Sequence, residues 1–160
     1  MHLYQAMKTA MPSVSTNPAA CNCLALRQAT RHVTQFYDQL LTGSGVRATQ
    51  YSILARLNRK GAMTINALAA ELVMDRTTLG RNIRPLQRDG LVAIGPGKAD
   101  RRSKEVRLTP SGQSRFEAAA KSWAKAQVRF EREFGARRAK ALRVLLEDVA
   151  TRELTAATPI

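Results

Sequence analysis

The chain has 160 residues, 44% of them hydrophobic, and a mean hydropathy of −0.28. These values predict one soluble globular domain, because the length suffices for a core and no apolar run reaches the roughly 18 residues that span a bilayer. Lysine and arginine number 26 against 12 aspartates and glutamates, so the net charge is +14 and the isoelectric point about 11.0. Such an excess favours a polyanionic partner, either nucleic acid or an anionic membrane surface.

Residues 1–20 are rich in Ser, Thr, Pro and Ala, which predicts a flexible arm ahead of a single domain at 21–160. The arm has no continuous apolar stretch after a basic start, so it does not match a signal peptide, and we expect a cytoplasmic protein. Met7 and Met11 are alternative start positions.

A first helix is predicted over 23–41, and its apolar residues recur as a heptad seam: Leu26, Ala29, Val33, Phe36 and Leu40. The glycine-containing stretch 42–45 ends it. A second helix is predicted from about Thr49 to a stop at Gly61. Its inward positions are Tyr51, Ile53, Leu54 and Leu57.

The segment Thr64–Leu108 predicts two helices joined by a tight turn. Thr64 is the expected N-cap of the first helix, whose apolar stripe is Ile65, Leu68, Ala69, Leu72 and Val73. Val73-Met74 makes the turn, and Asp75 caps the second helix. The inward residues of the second helix are Leu79, Ile83 and Leu86. Pro85 predicts either a bend near Arg84 or an early end of that helix.

Two strands follow, after Gly90 ends the second helix. Residues 91–94 and 105–108 alternate as a hairpin, the loop between them is basic, and Ala62-Met63 can add a short third strand. Helix, turn, helix and basic hairpin in this order predict a winged helix-turn-helix, which places one helix in the major groove of DNA. The predicted fold class is therefore mainly α with a small β-sheet, with the winged lobe at 47–108.

A long helix is predicted from Thr109-Pro110 to Gly135, and a last one from Arg137 to about Glu153. The long helix carries a seam at Phe116, Ala120, Trp123, Gln127, Phe130 and Phe134, and the last helix is expected to bury Leu142, Leu145, Leu146 and Val149. Little of the domain is left to cover these seams. We therefore expect 21–46 and 109–154 to form a homodimer, with packing inside one chain as the alternative.

The segment LAAELVMDRTTLGRNIRPLQRDGLV resembles the helix-turn-helix of the MarR family of bacterial transcription regulators, and DRRSKEVRLTPSG is similar to the wing signature of that family. The likeness covers about Leu24 to about Leu154. It implies a dimeric double-stranded DNA-binding regulator, most often a repressor, that acts on a pseudo-palindromic operator and releases DNA when a ligand binds or a thiol is oxidised.

The expected DNA contacts lie on the second helix and in the wing. Forked Arg donors match guanine edges and phosphates, and Asn matches adenine. For base contacts the candidates are Arg76, Thr77, Thr78, Arg81 and Asn82, while Arg84 is expected to meet phosphate or solvent. In the wing, the resemblance implies that Arg102 enters the minor groove and that Asp100 pairs with it. The expected phosphate contacts of the wing are Lys98, Arg101 and Lys104.

The sequence indicates less clearly which ligand or oxidant would cause the release of DNA. Cys23-Leu24-Ala25-Leu26 resembles the Cys-Phe-Ala-Leu segment of the OhrR branch, whose cysteine senses organic hydroperoxides, and Tyr37 falls at a tyrosine of that branch, while Ala48 replaces a second one. Cys21 is a candidate resolving thiol. The alternatives are two inert thiols at a dimer interface, or a small aromatic or anionic effector between the dimerisation helices and the DNA-binding lobe.

Rival classes are weaker. The charge alone also suits a non-specific architectural nucleic-acid binder, and the Cys-x-Cys pair suits a thiol redox protein, although no CxxC, Rossmann or P-loop pattern is present. We expect no enzyme activity, no cofactor, no metal site and no membrane partner, since the two histidines and the Cys-x-Cys pair do not form a zinc pattern.

Overall fold

The computed structural model describes residue 17 and residues 20–97 and 101–152. In this part of the chain there are six α-helices and three strands: α1 (Asn22–Leu41), α2 (Ala48–Lys60), β1 (Met63–Thr64), α3 (Ile65–Glu71), α4 (Arg76–Arg88), β2 (Val92–Pro96), β3 (Lys104–Leu108), α5 (Pro110–Phe134) and α6 (Ala136–Thr151). The predictions for residues 1–16, 18–19, 98–100 and 153–160, among them most of the flexible arm, Lys98 and Asp100, lie outside the described residues. The chain divides into two compact units between Val33 and Thr34, inside α1.

The described part of the first unit is the beginning of α1. Its cap is Cys21, whose carbonyl accepts the Ala25 N–H at 3.0 Å and whose Sγ accepts the Leu24 N–H at 3.4 Å. Both cysteines are exposed. Leu26, the first residue of the predicted seam, is 39% exposed, and the nearby Leu24 is 47% exposed.

The core lies in the second unit and joins the end of α1 to the winged lobe. Its fully buried large side chains are Leu41, Ile53, Leu54, Leu57, Leu68, Leu79, Leu86, Val92 and Val106. The three strands form one antiparallel sheet in the order β1-β3-β2, in which Val106 pairs with Met63 on one side and Ile94 on the other. The predicted hairpin and the short third strand are both confirmed, and so is the fold class.

Long-range contacts fix the start and end of α2. Asp38 of α1 accepts the Ala48 N–H at 2.7 Å, so α2 begins at Ala48, one residue before the predicted start. At its other end, Lys60 and Arg56 pair with Glu71 of α3, and the Lys60 hydrogen bond lowers the pKa of the Glu71 carboxyl. These contacts hold α3 against the end of α2.

The start of α5 packs directly against the first residue of the wing. Thr109 caps α5 by accepting the Gly112 N–H at 2.9 Å, and its hydroxyl lies 2.6 Å from the Gly90 carbonyl oxygen. A Cβ at Gly112 would lie 1.9 Å from the Leu91 carbonyl oxygen. Only glycine therefore lets α5 approach the wing this closely.

Aromatic side chains hold α5 against α2 and the end of α1. Tyr51 stacks between Phe116 and Trp123, with ring centroids 5.4 and 5.7 Å away. Tyr37 donates a hydrogen bond to Gln127, and burial raises the pKa of the Tyr37 hydroxyl.

The seam of α6 was expected to be buried, and the single chain leaves most of it open. Leu145 is 64% exposed, and Leu146 and Val149 are each 42% exposed. The buried residue of α6 is Ala139. As predicted, Gly135 ends α5, and α6 begins directly after it.

Candidate nucleic-acid interface

The turn between α3 and α4 is built from backbone hydrogen bonds that close a Schellman motif. The Met74 N–H bonds the Ala69 carbonyl at 2.9 Å, and the Val73 N–H bonds the Ala70 carbonyl at 3.1 Å. Val73 adopts the left-handed conformation, with φ of 51°, and is 74% exposed. Its predicted place in the apolar stripe is therefore wrong: α3 ends at Glu71, and the side chain of Val73 points to solvent in the turn.

Asp75 is the N-cap of α4, and its carboxylate accepts two hydrogen bonds from Thr78. Its carboxylate accepts the Thr78 N–H at 2.8 Å and the Thr78 hydroxyl at 2.6 Å. These bonds, the hydroxyl first, lower the pKa of Asp75. The negative charge at the positive end of α4 also favours the helix, so the predicted cap is confirmed.

One side of α4 is buried and the opposite side is open. Leu79, Ile83 and Leu86 anchor the helix in the core. The exposed residues Thr77, Arg81, Arg84 and Arg88 follow the spacing i, i+4, i+7 and i+11, which is a single helix face. This face extends over about 16 Å at 1.5 Å per residue, and Pro85 lies within the helix without ending it.

The predicted base-contact residues differ in how far they are exposed to solvent. Arg76, Thr77, Thr78, Arg81 and Arg84 are all exposed. Asn82 is only partly exposed, because it lies towards the core and its Nδ2 donates to the Thr78 carbonyl at 2.8 Å. In the described part of the chain, Arg88 pairs with Asp89, whereas Arg76, Arg81 and Arg84 have no ion pair. Their charge is therefore not compensated locally, and the face has a positive potential.

The wing carries a second group of cations in the same lobe as α4. Arg101, Arg102 and Lys104 are exposed, and the Gly97 N–H bonds the Ser103 carbonyl at 2.9 Å across the base of the loop. Lys98 and Asp100 lie outside the described residues, so the expected pairing of Asp100 with Arg102 stays a prediction.

Sequence reasoning missed Arg107, which precedes the last residue of β3. Its Nη2 donates to the Pro96 carbonyl at 3.2 Å, and its Nε is buried without a partner among the described residues. Strand alternation could have placed Arg107 on the outer side of the sheet. It could not show that the side chain crosses to the neighbouring strand.

The candidate sensor residues have different hydrogen-bond partners. The Tyr37 hydroxyl is engaged by Gln127 of α5, and Cys21 rather than Cys23 caps α1. A shallow groove of about 450 Å³ follows the outer side of α5, and it is lined by Ala124, Lys125, Val128, Arg129 and Arg132. Among the described residues, three or more His, Cys, Asp or Glu side chains do not come together as a possible metal site. Likewise, within that part, each helix is too short or too polar to cross a bilayer.

Known proteins share this arrangement. The model of the MarR family matches residues 46–104. The transcriptional activatory protein BadR of Rhodopseudomonas palustris is 35% identical over 79 residues, which are 48% of this chain and 45% of BadR. The organic hydroperoxide resistance transcriptional regulator of Bacillus subtilis is 27% identical over 90 residues, 56% of this chain and 61% of that protein. The match thus spans about half the length of these curated relatives.

A solved structure extends the likeness to most of the chain. The M. tuberculosis transcriptional regulator MosR in complex with DNA is 33% identical, with a TM-score of 0.67, and the match covers 82% of this chain and 99% of MosR. The family match falls on the helix-turn-helix and the wing, and this relative is matched over nearly its whole length. The chain therefore belongs to the MarR family of transcription regulators.

Proposed function

We propose that the protein is a dimeric, sequence-specific double-stranded DNA-binding transcription regulator, and that it represses until a small ligand or thiol oxidation releases it. The observation that carries the proposal is the outer side of α4, where Thr77, Arg81 and Arg84 share one exposed face opposite a fully anchored apolar side. A rigid helix with forked donors on one side suits the major groove. The MosR structure with DNA supports the same use of this fold.

Within this proposal each predicted residue has a role. Arg76, Thr77 and Arg81 read base edges, and Arg84 binds phosphate. Thr78 contributes its methyl group and its hydroxyl oxygen as an acceptor, because its hydroxyl hydrogen is donated to Asp75. Asn82 contributes less than the sequence suggested, because one of its amide hydrogens is bonded to the Thr78 carbonyl. The proposed wing contacts are Lys98, Arg101, Arg102 and Lys104, with Asp100 holding Arg102.

The dimer is proposed from the apolar surface that one chain leaves open. The exposed residues at the start of α1 (Leu24, Leu26) and on α6 (Leu145, Leu146) need a partner, and a second copy supplies the same surface. In this arrangement 21–46 and 109–154 form the dimer and 47–108 the DNA-binding lobe. Two copies of α4 then meet successive major grooves roughly 34 Å apart, which predicts a pseudo-palindromic operator.

Repression and its release are the least constrained part of the proposal. The name of BadR describes an activator, whereas repression here follows from the family resemblance. Oxidation is favoured by the exposed Cys21 and Cys23 and by the name of the Bacillus relative. A small ligand is the competing signal, and the hydrogen bond from the Tyr37 hydroxyl to Gln127 favours it, because the single hydroxyl hydrogen is then not available for donation to a thiolate. A regulator that acts on chromosomal DNA works in the cytoplasm, which is the location that we propose, and we expect no catalytic turnover.

The test is binding of the purified protein to DNA upstream of its own gene, with random DNA as competitor. A specific regulator prefers its site by roughly 10³-fold or more, and phosphate contacts give a salt slope of about −0.9 per phosphate neutralised. Arg81→Ala and Arg102→Ala should each weaken specific binding by about tenfold or more. Arg115→Ala, which removes an equal charge from α5, should not. A flat preference for all DNA would instead indicate an architectural nucleic-acid binder.

The same assay separates the two signals. The complex is treated with an organic hydroperoxide, using the wild type, Cys21→Ser and Cys23→Ser. Loss of binding in the wild type that either variant prevents assigns thiol sensing to that cysteine. Binding that ignores the oxidant directs the search to small ligands.

A further inference from the structure

We propose that Arg107 is a positioning residue of the wing: its guanidinium crosses the hairpin and fixes the point at which the basic loop leaves the sheet. The inference about DNA affinity rests on the proposed function, whereas the inference about the wing does not. Arg107 lies in β3 opposite Ala93, and its Nη2 donates to the carbonyl of Pro96, the last residue of β2, at 3.2 Å. The side chain therefore spans three residues of the neighbouring strand.

Gly95 makes this crossing possible. A Cβ at Gly95 would lie 2.9 Å from the Arg107 Nη2 and 3.7 Å from its Cζ. The guanidinium thus fills the space that any side chain at this position of β2 would need. The backbone of Gly95 does not have a positive φ, so the conformation itself does not require glycine.

Because the Arg107 side chain lies flat against the hairpin, one of its N–H groups loses its hydrogen bond to water. Its Nε is buried without a hydrogen-bond partner among the described residues. An arginine extended into water would keep this N–H hydrated, and leaving a donor unsatisfied is unfavourable. This position must therefore be held by packing over Gly95 and by the bond to Pro96, which means that the two strands are fastened at the end of the hairpin next to the basic loop.

The contacts of Arg107 with Gly95 and Pro96 fix the orientation of the basic loop. Gly97 follows Pro96 directly, and its N–H closes the loop by bonding the Ser103 carbonyl. Arg102 and Lys104, two of the proposed DNA contacts, flank Ser103. Fixing the end of β2 therefore limits the directions in which these cations can point, and a wing that is already oriented loses less conformational entropy on binding.

The first test does not involve DNA. Hydrogen exchange of the Gly97 amide is measured by NMR in the wild type, Arg107→Met, Arg107→Lys and Gly95→Ala. The matched control is Arg115→Met, because the Arg115 Nη1 also donates to a backbone carbonyl, that of Ser44, at 3.2 Å. We expect the Gly97 amide to exchange about tenfold faster in the three hairpin variants than in the wild type, and at the wild-type rate in the control. Unchanged exchange in Arg107→Met would overturn the proposal.

The second test measures operator affinity. Arg107→Met and Gly95→Ala should each reduce it by about tenfold, and the double variant should be no worse than either single one. Arg102→Ala should cost less in the Arg107→Met background than alone. If Arg107→Lys restores both affinity and exchange, Arg107 acts as a charge and the positioning role is refuted. If the wild type does not prefer its operator, the proposed function fails, and the exchange result still decides the role of Arg107 in the wing.

Discussion

Replacing Gly112 by alanine tests how α5 is joined to the DNA-binding lobe. The new Cβ would lie 1.9 Å from the Leu91 carbonyl oxygen and 2.9 Å from the Leu108 Cδ1. Backbone cannot yield as a flexible side chain does, so the start of α5 must move away by more than 1 Å to reach an ordinary contact distance. That movement also pulls on Thr109, whose N–H bonds the Leu91 carbonyl at 3.1 Å.

The size of the effect follows from these two parts. Overpacking a close-packed contact costs about 1–3 kcal/mol, and a weakened N-cap about 1 kcal/mol, so we expect Gly112→Ala to lower the free energy of unfolding by about 3 kcal/mol. For a chain of this length this corresponds to a decrease in Tm of roughly 6–12 °C. Thermal unfolding is followed by circular dichroism at one fixed protein concentration, because the Tm of the proposed dimer would depend on concentration.

Gly43→Ala is the matched control. Gly43 has nothing within 4 Å of its Cβ position and no positive φ. Alanine there should leave Tm unchanged or raise it, since it only reduces the freedom of the unfolded chain. If Gly112→Ala were as stable as Gly43→Ala, the close approach of α5 to the wing would be wrong.

Three further changes probe the helix-turn-helix. Val73→Gly should raise the free energy of unfolding by about 0.5–1 kcal/mol in urea titrations, because the left-handed strain relieved exceeds the added chain entropy. Gly80→Ala should stabilise α4 by about 0.5–1 kcal/mol, since the Cβ meets nothing within 4 Å, and destabilisation would contradict the open surroundings. The lowered pKa of Asp75 means that its contribution is present above its unfolded pKa and is lost as pH falls through the lower folded pKa. The stability difference between wild type and Asp75→Asn should therefore shrink in acid unfolding below about pH 4, and a constant difference would contradict the Thr78 hydrogen bonds.

The predictions that succeeded rest on local chemistry. Thr64, Asp75 and Thr109 each accept the backbone N–H of the residue three positions ahead, as their positions in the sequence indicate. The apolar spacing of 3 and 4 placed Leu79 and Ile83 in the core for the same reason, since a helix repeats every 3.6 residues. Information of this kind lies within one turn of the chain, and a single sequence contains it.

The features that the sequence did not reveal depend on distant partners. Asp38 caps α2 across ten positions, and Arg107 reaches Pro96 across eleven. Val73 occupies the left-handed position because the core on both sides over-determines the turn, although a β-branched residue is poorly suited to it. The exposed seam of α6 has a similar origin, since its periodicity shows which side is apolar but not whether that side packs within one chain.

The contacts at the start of α5 restrict how the proposed signal could release DNA. Gly90, which follows α4, and Leu91, which precedes β2, both bond Thr109, so the end of the reading helix, the wing and α5 meet at one junction. A hundredfold loss of DNA affinity requires a signal that distinguishes two states by about 2.7 kcal/mol. Breaking one neutral hydrogen bond at the surface changes stability by only about 1 kcal/mol. Since Gly112 leaves no space between α5 and Leu91, a displacement of α5 towards the wing must move the wing with it. Within the proposed function, a signal that pushes α5 towards the wing as a rigid helix therefore reaches the proposed DNA contacts directly, whereas local fraying near the signal would not.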